Sequence, residues 1–300
     1  MTDNKNKILV VGSLHSQAGE GLNLANYGEY FQKAASGSYK VLHAMIDDLV
    51  FDISPEKFSI FDTVNKHELS DYKVLILRGK LHDELDTAIT LSEYAHLNGL
   101  VYFNDYRQTR SISKLAQAVN FFLLGLPFPR TILTSPEQLK HLLNEKKLQY
   151  PFIYKSRFGA HGINNHLIKN QNDLSKVEKW GMIAQPFIPN DGDYRLVIFG
   201  NNHLVIKRIA QEGTHLNNTS KGGKAELIRN FDQKIISESH KLADKLKMVV
   251  AGVDVMFDKN SGKHYFLEIN SQPQLMSGAF LAEKEELIKN YFKTLDTKLN

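Results

Sequence analysis

Residues 251–273 read AGVDVMFDKNSGKHYFLEINSQP. Two strand-like runs, Val249–Asp258 and His264–Asn270, follow each other closely enough to form an antiparallel hairpin. Asp254 lies inside the first apolar run, where aspartate is depleted. Glu268 and Asn270 lie inside the second. Strand alternation sends Glu268 and Asn270 to one face and Tyr265, Leu267 and Ile269 to the other. If Asp258 pairs with His264, Asp254 falls opposite Glu268. Two carboxylates and an amide oxygen then share one face, where uncompensated charges repel and lose hydration. A bound hard cation removes both penalties. Carboxylate and carbonyl oxygens without histidine or sulfur suit magnesium or manganese. A solvated edge hairpin with ordinary surface acids is the competing reading.

Upstream, three further patterns carry chemistry. In Tyr154–Asn164 (YKSRFGAHGIN), Lys155 ends a buried strand and a loop with Gly159 and Gly162 follows. Such a loop can bring backbone N–H groups to phosphate oxygens, with the lysine as a point charge. A plain surface turn has the same spelling. Gln185-Pro186-Phe187-Ile188 is an extended linker leading into Asp191-Gly192-Asp193-Tyr194-Arg195. The Pro186 carbonyl and the Ile188 N–H can pair with an adenine edge. A hairpin over Tyr194–Ile209, turning at Gly200-Asn201-Asn202, puts Arg195 and Lys207 on a shared face. Two solvated cations are the alternative there. Glu212–Ala225 is glycine-rich and polar, as a lid or an ordinary loop is.

The first hundred residues alternate in type. Lys7–Gly12, Lys40–Ile46, Tyr72–Arg78 and Leu100–Phe103 read as strands, and Glu20–Ala35 and Asp83–Leu97 as helices. Helical crossovers of this length imply a parallel, Rossmann-like sheet. Sites in such sheets lie at the carboxyl ends of strands, here Arg78-Gly79 and Asn104-Asp105. After Asn104 the pattern becomes α+β, with a helix over Ser113–Leu124 and another starting at Ser135-Pro136-Glu137-Gln138. The expected domains are 1–103, 104–183 and 184–300. Over 300 residues, 42% are hydrophobic and 23% charged, which fits a folded soluble chain. Cysteine is absent, which excludes disulfides, thiolate metal sites and cysteine nucleophiles. A net charge of +4 suits a phosphate ligand and is too diffuse for nucleic acid. The polar MTDNKNK start and the lack of a long apolar run speak against a secretory signal or a membrane span, so a cytoplasmic location is expected. No Walker A, HExxH or GxSxG motif occurs.

The order of these patterns, from Asn104 to Gly278, resembles the ATP-grasp superfamily, in particular RimK-like carboxylate–amine ligases related to glutathione synthetase. VVAGVDVM and FLEINSQP carry the most specific part of that resemblance. It implies an α/β N-terminal Rossmann-like (preATP-grasp) domain followed by an α+β ATP-grasp fold. It assigns Lys114, Lys155, Gly159 and Gly162 to the ATP phosphates and Gln185, Pro186, Phe187 and Ile188 to adenine. Asp193 matches a ribose-side acid. Arg195, Arg208 and Asn218 match positions facing phosphates, metal or the reacting acyl group, and Asp254, Glu268 and Asn270 match ligands of two magnesium ions. The implied reaction phosphorylates a carboxylate with ATP and lets an amine displace the phosphate. Its substrates are small-molecule, amino-acid or peptide carboxylates and amines, with the acyl substrate near Arg78 and Asn104. Relatives are commonly homodimers or homotetramers. An ATP-grasp kinase acting on a hydroxyl and a non-catalytic nucleotide-binding module are the alternatives.

Overall fold

The structure, a computed structural model, describes residues 6–13, 24–35, 37, 39–79, 84–108, 113–158, 164–177, 179–210 and 223–299. Its chain opens with β1 (Asn6–Gly12), α1 (Leu24–Ala34) and β2 (Tyr39–Met45). A small antiparallel sheet follows, of β3 (Leu49–Ser54), β4 (Lys57–Asp62) and β5 (His67–Glu68). Then come β6 (Val74–Arg78), α2 (Leu85–Leu97) and β7 (Val101–Phe103). Strands β2-β1-β6-β7 pair in that order, all parallel, as the near-continuous apolar runs of β1 and β6 require. The inserted sheet was not anticipated, although its two-residue turn at Pro55-Glu56 and flanking alternation were present in the sequence.

Helix α3 (Lys114–Leu123) starts the second half, capped by Ser113, which accepts from the Ala116 N–H. Next come β8 (Ile132–Leu133), α4 (Pro136–Asn144), β9 (Phe152–Ser156), β10 (Asn165–Ile168), α5 (Gln171–Ser175) and β11 (Met182–Pro186). Ser135 caps α4 as the Ser-Pro start predicts. These strands form an antiparallel sheet in the order β10-β9-β11-β8. The last sheet contains β12 (Asp193–Phe199), β13 (Asn202–Ile209), β14 (Lys224–Ile228), β15 (Val250–Phe257) and β16 (His264–Asn270), ordered β14-β13-β12-β15-β16. Helix α6 (Gln233–Lys245) buries Ile235, Ile236 and Leu242 in the same core as Val253, Val255 and Phe266.

Helix α7 (Leu281–Leu299) closes the chain and ties the first sheet to the last. Leu287, Ile288, Phe292 and Leu295 share one core with Ile8, Phe31 and Tyr39 on one side and Val197, Phe199 and Val250 on the other. Phe103 meets Phe199 edge-on, ring centroids 5.3 Å apart, and Phe292 at 6.3 Å. Among the described residues no helix is long and apolar enough to cross a membrane.

Candidate active site

Register decides which acids meet. The hairpin of β15 and β16 starts one residue away from the expected pairing, with Phe257 opposite His264. A bulge between Asp254 and Val255 then skips Leu267 and brings Asp254 opposite Glu268. The expected juxtaposition thus forms by a different route. The bulge also changes which side chains face the core. Phe266 and Ile269 are both buried there, whereas Tyr265 and Leu267 are partly exposed.

Asp254 is not an open acid. Arg195 sits opposite it on β12 and donates twice, Nε to Oδ1 and Nη2 to Oδ2, both at 2.7 Å. Arg208 Nη2 approaches Oδ2 at 2.9 Å, and Arg208 Nε donates to Asp193 Oδ1 at 2.6 Å. The result is a buried chain of four alternating charges. Burial alone would raise the Asp254 carboxyl, but Arg195 and Arg208 outweigh it and hold it down at about 2. Asp193 shares only Arg208 closely, and burial together with the Asp254 charge pushes it up to about 6. The expectation of an uncompensated carboxylate is therefore corrected for Asp254, whose charge the two arginines balance. Lys207 is corrected too. The turn is two residues, Phe199 pairs with Asn202, and Lys207 falls opposite Tyr194, over whose ring its Nζ lies at 5.9 Å. Arg208 takes the face that Lys207 was expected to share.

Glu268 and Asn270 form the other half. Asn270 Nδ2 donates to Glu268 Oε1 at 2.6 Å, and Lys114 Nζ stands 3.5 Å from Glu268 Oε2. The backbone N–H of Lys114 donates to the Arg157 carbonyl just beyond β9, which joins the start of α3 to the central sheet. Lys155 on β9 is held down at about 8, chiefly by desolvation; Glu268 opposes this and Lys114 adds to it. Lys114, Lys155, Glu268 and Asp254 therefore share one electrostatic neighbourhood across two sheets. Gln117, which sequence reasoning missed, completes it. Its amide donates to the Ile269 carbonyl at 3.1 Å and accepts from the Ile269 N–H at 2.9 Å. β16 is an edge strand, and Gln117 pairs with its backbone between Glu268 and Asn270 as a neighbouring strand would. A polar residue on the buried face of α3, beside Ala118 and Phe121, was the available signal.

After Asn270 the chain runs as a loop whose alternate carbonyls are each taken by a different element. Asn104 Nδ2 donates to Ser271 O at 2.9 Å, Arg78 Nη2 to Pro273 O at 3.3 Å, Tyr30 OH to Leu275 O at 3.4 Å and Lys284 Nζ to Ser277 O at 2.8 Å. Asn104 also donates to Val250 O and accepts from the Val250 N–H. Both its amide donors are engaged, so it joins the lobes and does not present an amide to a substrate. Its φ of 66° is one that asparagine tolerates. Arg78 is buried and stacks over Tyr27 at 5.1 Å.

The expected hinge leaves β11 at Pro186. Gln185 Nε2 donates to Thr131 Oγ1 at 2.8 Å, the Phe187 N–H to Pro151 O at 3.2 Å, and Ile188 O accepts from Asn190. Gly192 has φ 116°, and a Cβ there would collide with the Arg208 carbonyl. Gly159, Gly162 and Asn218 lie outside the described residues, as does most of the expected lid.

The donor set suits a hard divalent cation. Asn270 Oδ1 has no donor among the described residues, Glu268 is partly exposed, and both offer oxygen only. Asp254 enters that set with guanidinium groups already on both oxygens. Among the described residues no three histidines, cysteines, aspartates or glutamates cluster; the set here is two acids and an amide.

A RimK-like ATP-grasp domain matches residues 107–286. A probable alpha-L-glutamate ligase of Haemophilus influenzae (strain PittEE) is 30% identical over 161 residues, 50% of this chain and 52% of the relative, so the chain spans about half of that relative's length. A protein of the same description from Haemophilus influenzae strain Rd is 27% identical over 246 residues, 74% of this chain and 76% of the relative. The RiPP-associated ATP-grasp ligase of Chryseobacterium gregarium, solved with ADP and a leader and core peptide, superposes with a TM-score of 0.69 at 16% identity, covering 98% of this chain and 97% of that one. The fold is accordingly an α/β Rossmann-like domain followed by an ATP-grasp fold, and the chain belongs to the RimK-like ATP-grasp family.

Proposed function

We propose that this protein joins a carboxylate to an amine at the expense of ATP. A substrate carboxylate oxygen attacks the γ-phosphorus and ADP leaves. The amine nitrogen then attacks the acyl carbon, inorganic phosphate leaves, and the amine loses a proton. The observation that carries this reading is the meeting of Lys114, Lys155 and Glu268 between the central and last sheets. Phosphoryl transfer depends mostly on positioning and charge neutralisation, and this site offers cations and hard oxygens without a protein nucleophile.

Lys114 and Lys155 hold the ATP phosphates, assisted by the glycine loop at Gly159 and Gly162. Residues Gln185 to Ile188 receive adenine. Asp193 keeps Arg208 in place, and Arg195 and Arg208 face the acyl group, joined by Asn218 of the lid. Glu268, Asn270 and the remaining lone pair of Asp254 hold two magnesium ions, or manganese. When bound there, the metal supplies charge neutralisation at the phosphates. The division at residues 103 and 183 separates the substrate-side sheet from the two halves that enclose the nucleotide. The relatives named above favour an amino acid such as glutamate as amine and a peptide or small acid as acyl substrate. The enzyme works in the cytoplasm, as a homodimer or homotetramer.

ADP release tests this. A ligase releases ADP only when a carboxylate and an amine are both present. Release that needs a hydroxyl compound instead would make the protein a kinase, and release at background with every pair would make it a binding module.

A further inference from the structure

A small cavity lies between β12, β13 and the start of α7. Its polar lining is Arg195, Arg208, Gln274 and Lys284, and Ala225 and Ala279 contribute small apolar walls. We propose that this cavity binds a carboxylate of the acyl substrate, with Lys284 as the cation that selects it. The proposal rests on the ligase reading and adds the residue that selects the acyl carboxylate.

The charge balance around the cavity carries the argument. Three cations line it. Two of them, Arg195 and Arg208, are matched by Asp254 and Asp193. Lys284 is 3% exposed, and no carboxylate among the described residues pairs with it. One of its three N–H bonds goes to the Ser277 carbonyl at 2.8 Å. The others have no partner among the described residues. A buried ammonium beside a guanidinium is unfavourable unless an anion joins them. Burial, then the Arg195 charge, lower Lys284 to about 8, a sign of the same imbalance. An ammonium, a guanidinium and the Gln274 amide together suit a carboxylate. Phosphate is met elsewhere, by Lys114 and Lys155. Helix α7 lay outside the motifs of the sequence, so nothing there marked Lys284.

Calorimetry on the full chain, saturated with magnesium and a non-hydrolysable ATP analogue, tests the assignment. The probes are N-acetyl-L-alanine, whose carboxylate is the α group, and N-acetyl-L-glutamic acid α-amide, whose carboxylate is the side chain. N-acetyl-L-glutamine amide has none, and inorganic phosphate is the competing anion. At least one monocarboxylate binds the wild type, and the neutral amide does not. The preferred probe tells a free acid terminus from an acidic peptide side chain. Lys284→Met weakens that binding by about tenfold or more, as loss of a charge-assisted contact implies, while the ATP analogue binds as before. Lys284→Arg retains it. Should Lys284→Met fail to fold, Lys284→Gln is read in the same titration. Equal carboxylate affinity in wild type and variant, no carboxylate binding to the wild type, or tighter binding of phosphate would each overturn the proposal. Failure of the ligase reading is seen apart from this titration, as ADP release that needs a hydroxyl compound or that stays at background with every carboxylate–amine pair.

Discussion

Arg195 and Asp254 stand opposite each other on β12 and β15 and share two hydrogen bonds of 2.7 Å. This pair makes Asp254 a structural counter-charge as well as a candidate ligand. Removing one partner of a buried ion pair strands the other, at about 3–5 kcal/mol. Asp254→Asn is therefore expected to lower unfolding stability by about 3 kcal/mol or more and to stop turnover. Glu268→Gln, at a partly exposed position, should stop turnover with a stability change of about 1 kcal/mol or less. Urea unfolding and ADP release on both variants separate the two roles; equal stability losses would show that Asp254 is no more structural than Glu268.

Gln117 is expected to behave as a piece of β-sheet. Gln117→Ala leaves the Ile269 N–H and C=O, both buried, without their partner, at about 2–4 kcal/mol for the two groups. The amide proton of Ile269 should exchange with solvent much faster than in the wild type. Unaltered exchange at Ile269 would mean that the contact contributes nothing to the strand.

Stability should rise in alkali because of Lys284. Its folded value lies near 8, against 10.5 in the unfolded chain. Between those limits the unfolded chain holds the extra proton, so unfolding free energy grows as pH rises. The groups facing Lys284 are Arg195 and Arg208, both cationic throughout this window, and the neutral Gln274. The urea midpoint of the wild type should gain on that of Lys284→Met from about pH 8 to 10.5. Parallel curves would show that Lys284 titrates normally.

Asn104 joins the lobes. Asn104→Ala removes three hydrogen bonds and places alanine at a φ of 66°, for a combined loss of about 2–4 kcal/mol. Asn104→Gly relieves the backbone part alone. If glycine restores full stability in thermal unfolding, the side-chain bonds across the lobes are dispensable.

Much of this arrangement is legible in the amino-acid order, because periodicity and motif spacing act locally. The parallel sheet follows from the apolar runs of β1 and β6, and the α4 start from Ser135-Pro136. Asp254, Glu268 and Asn270 meet as their alternation implies, though only because the bulge at Leu267 repairs a one-residue offset in the hairpin. What escaped was long-range. Gln117 finds Ile269 across 152 positions, and Lys284 matters through Arg195 on a distant strand. The arginine partners of Asp254 depend on a turn of two residues, not three, and one residue of register exchanges Arg208 for Lys207. Helix α7 is charged along much of its length, and its buried stripe is recognisable once the first and last sheets supply a surface for it.

The loop after Asn270 is moored at Ser271, Pro273, Leu275 and Ser277 by side chains from four separate parts of the chain, three of them belonging to residues before 105. The amino-terminal third is thus a jig for the hairpin of β15 and β16 as well as a neighbour to it. A shortened protein cut just ahead of residue 107 would keep every residue of the matched family domain and still release three of the four moorings. Minimal versions made for engineering should carry the whole first sheet.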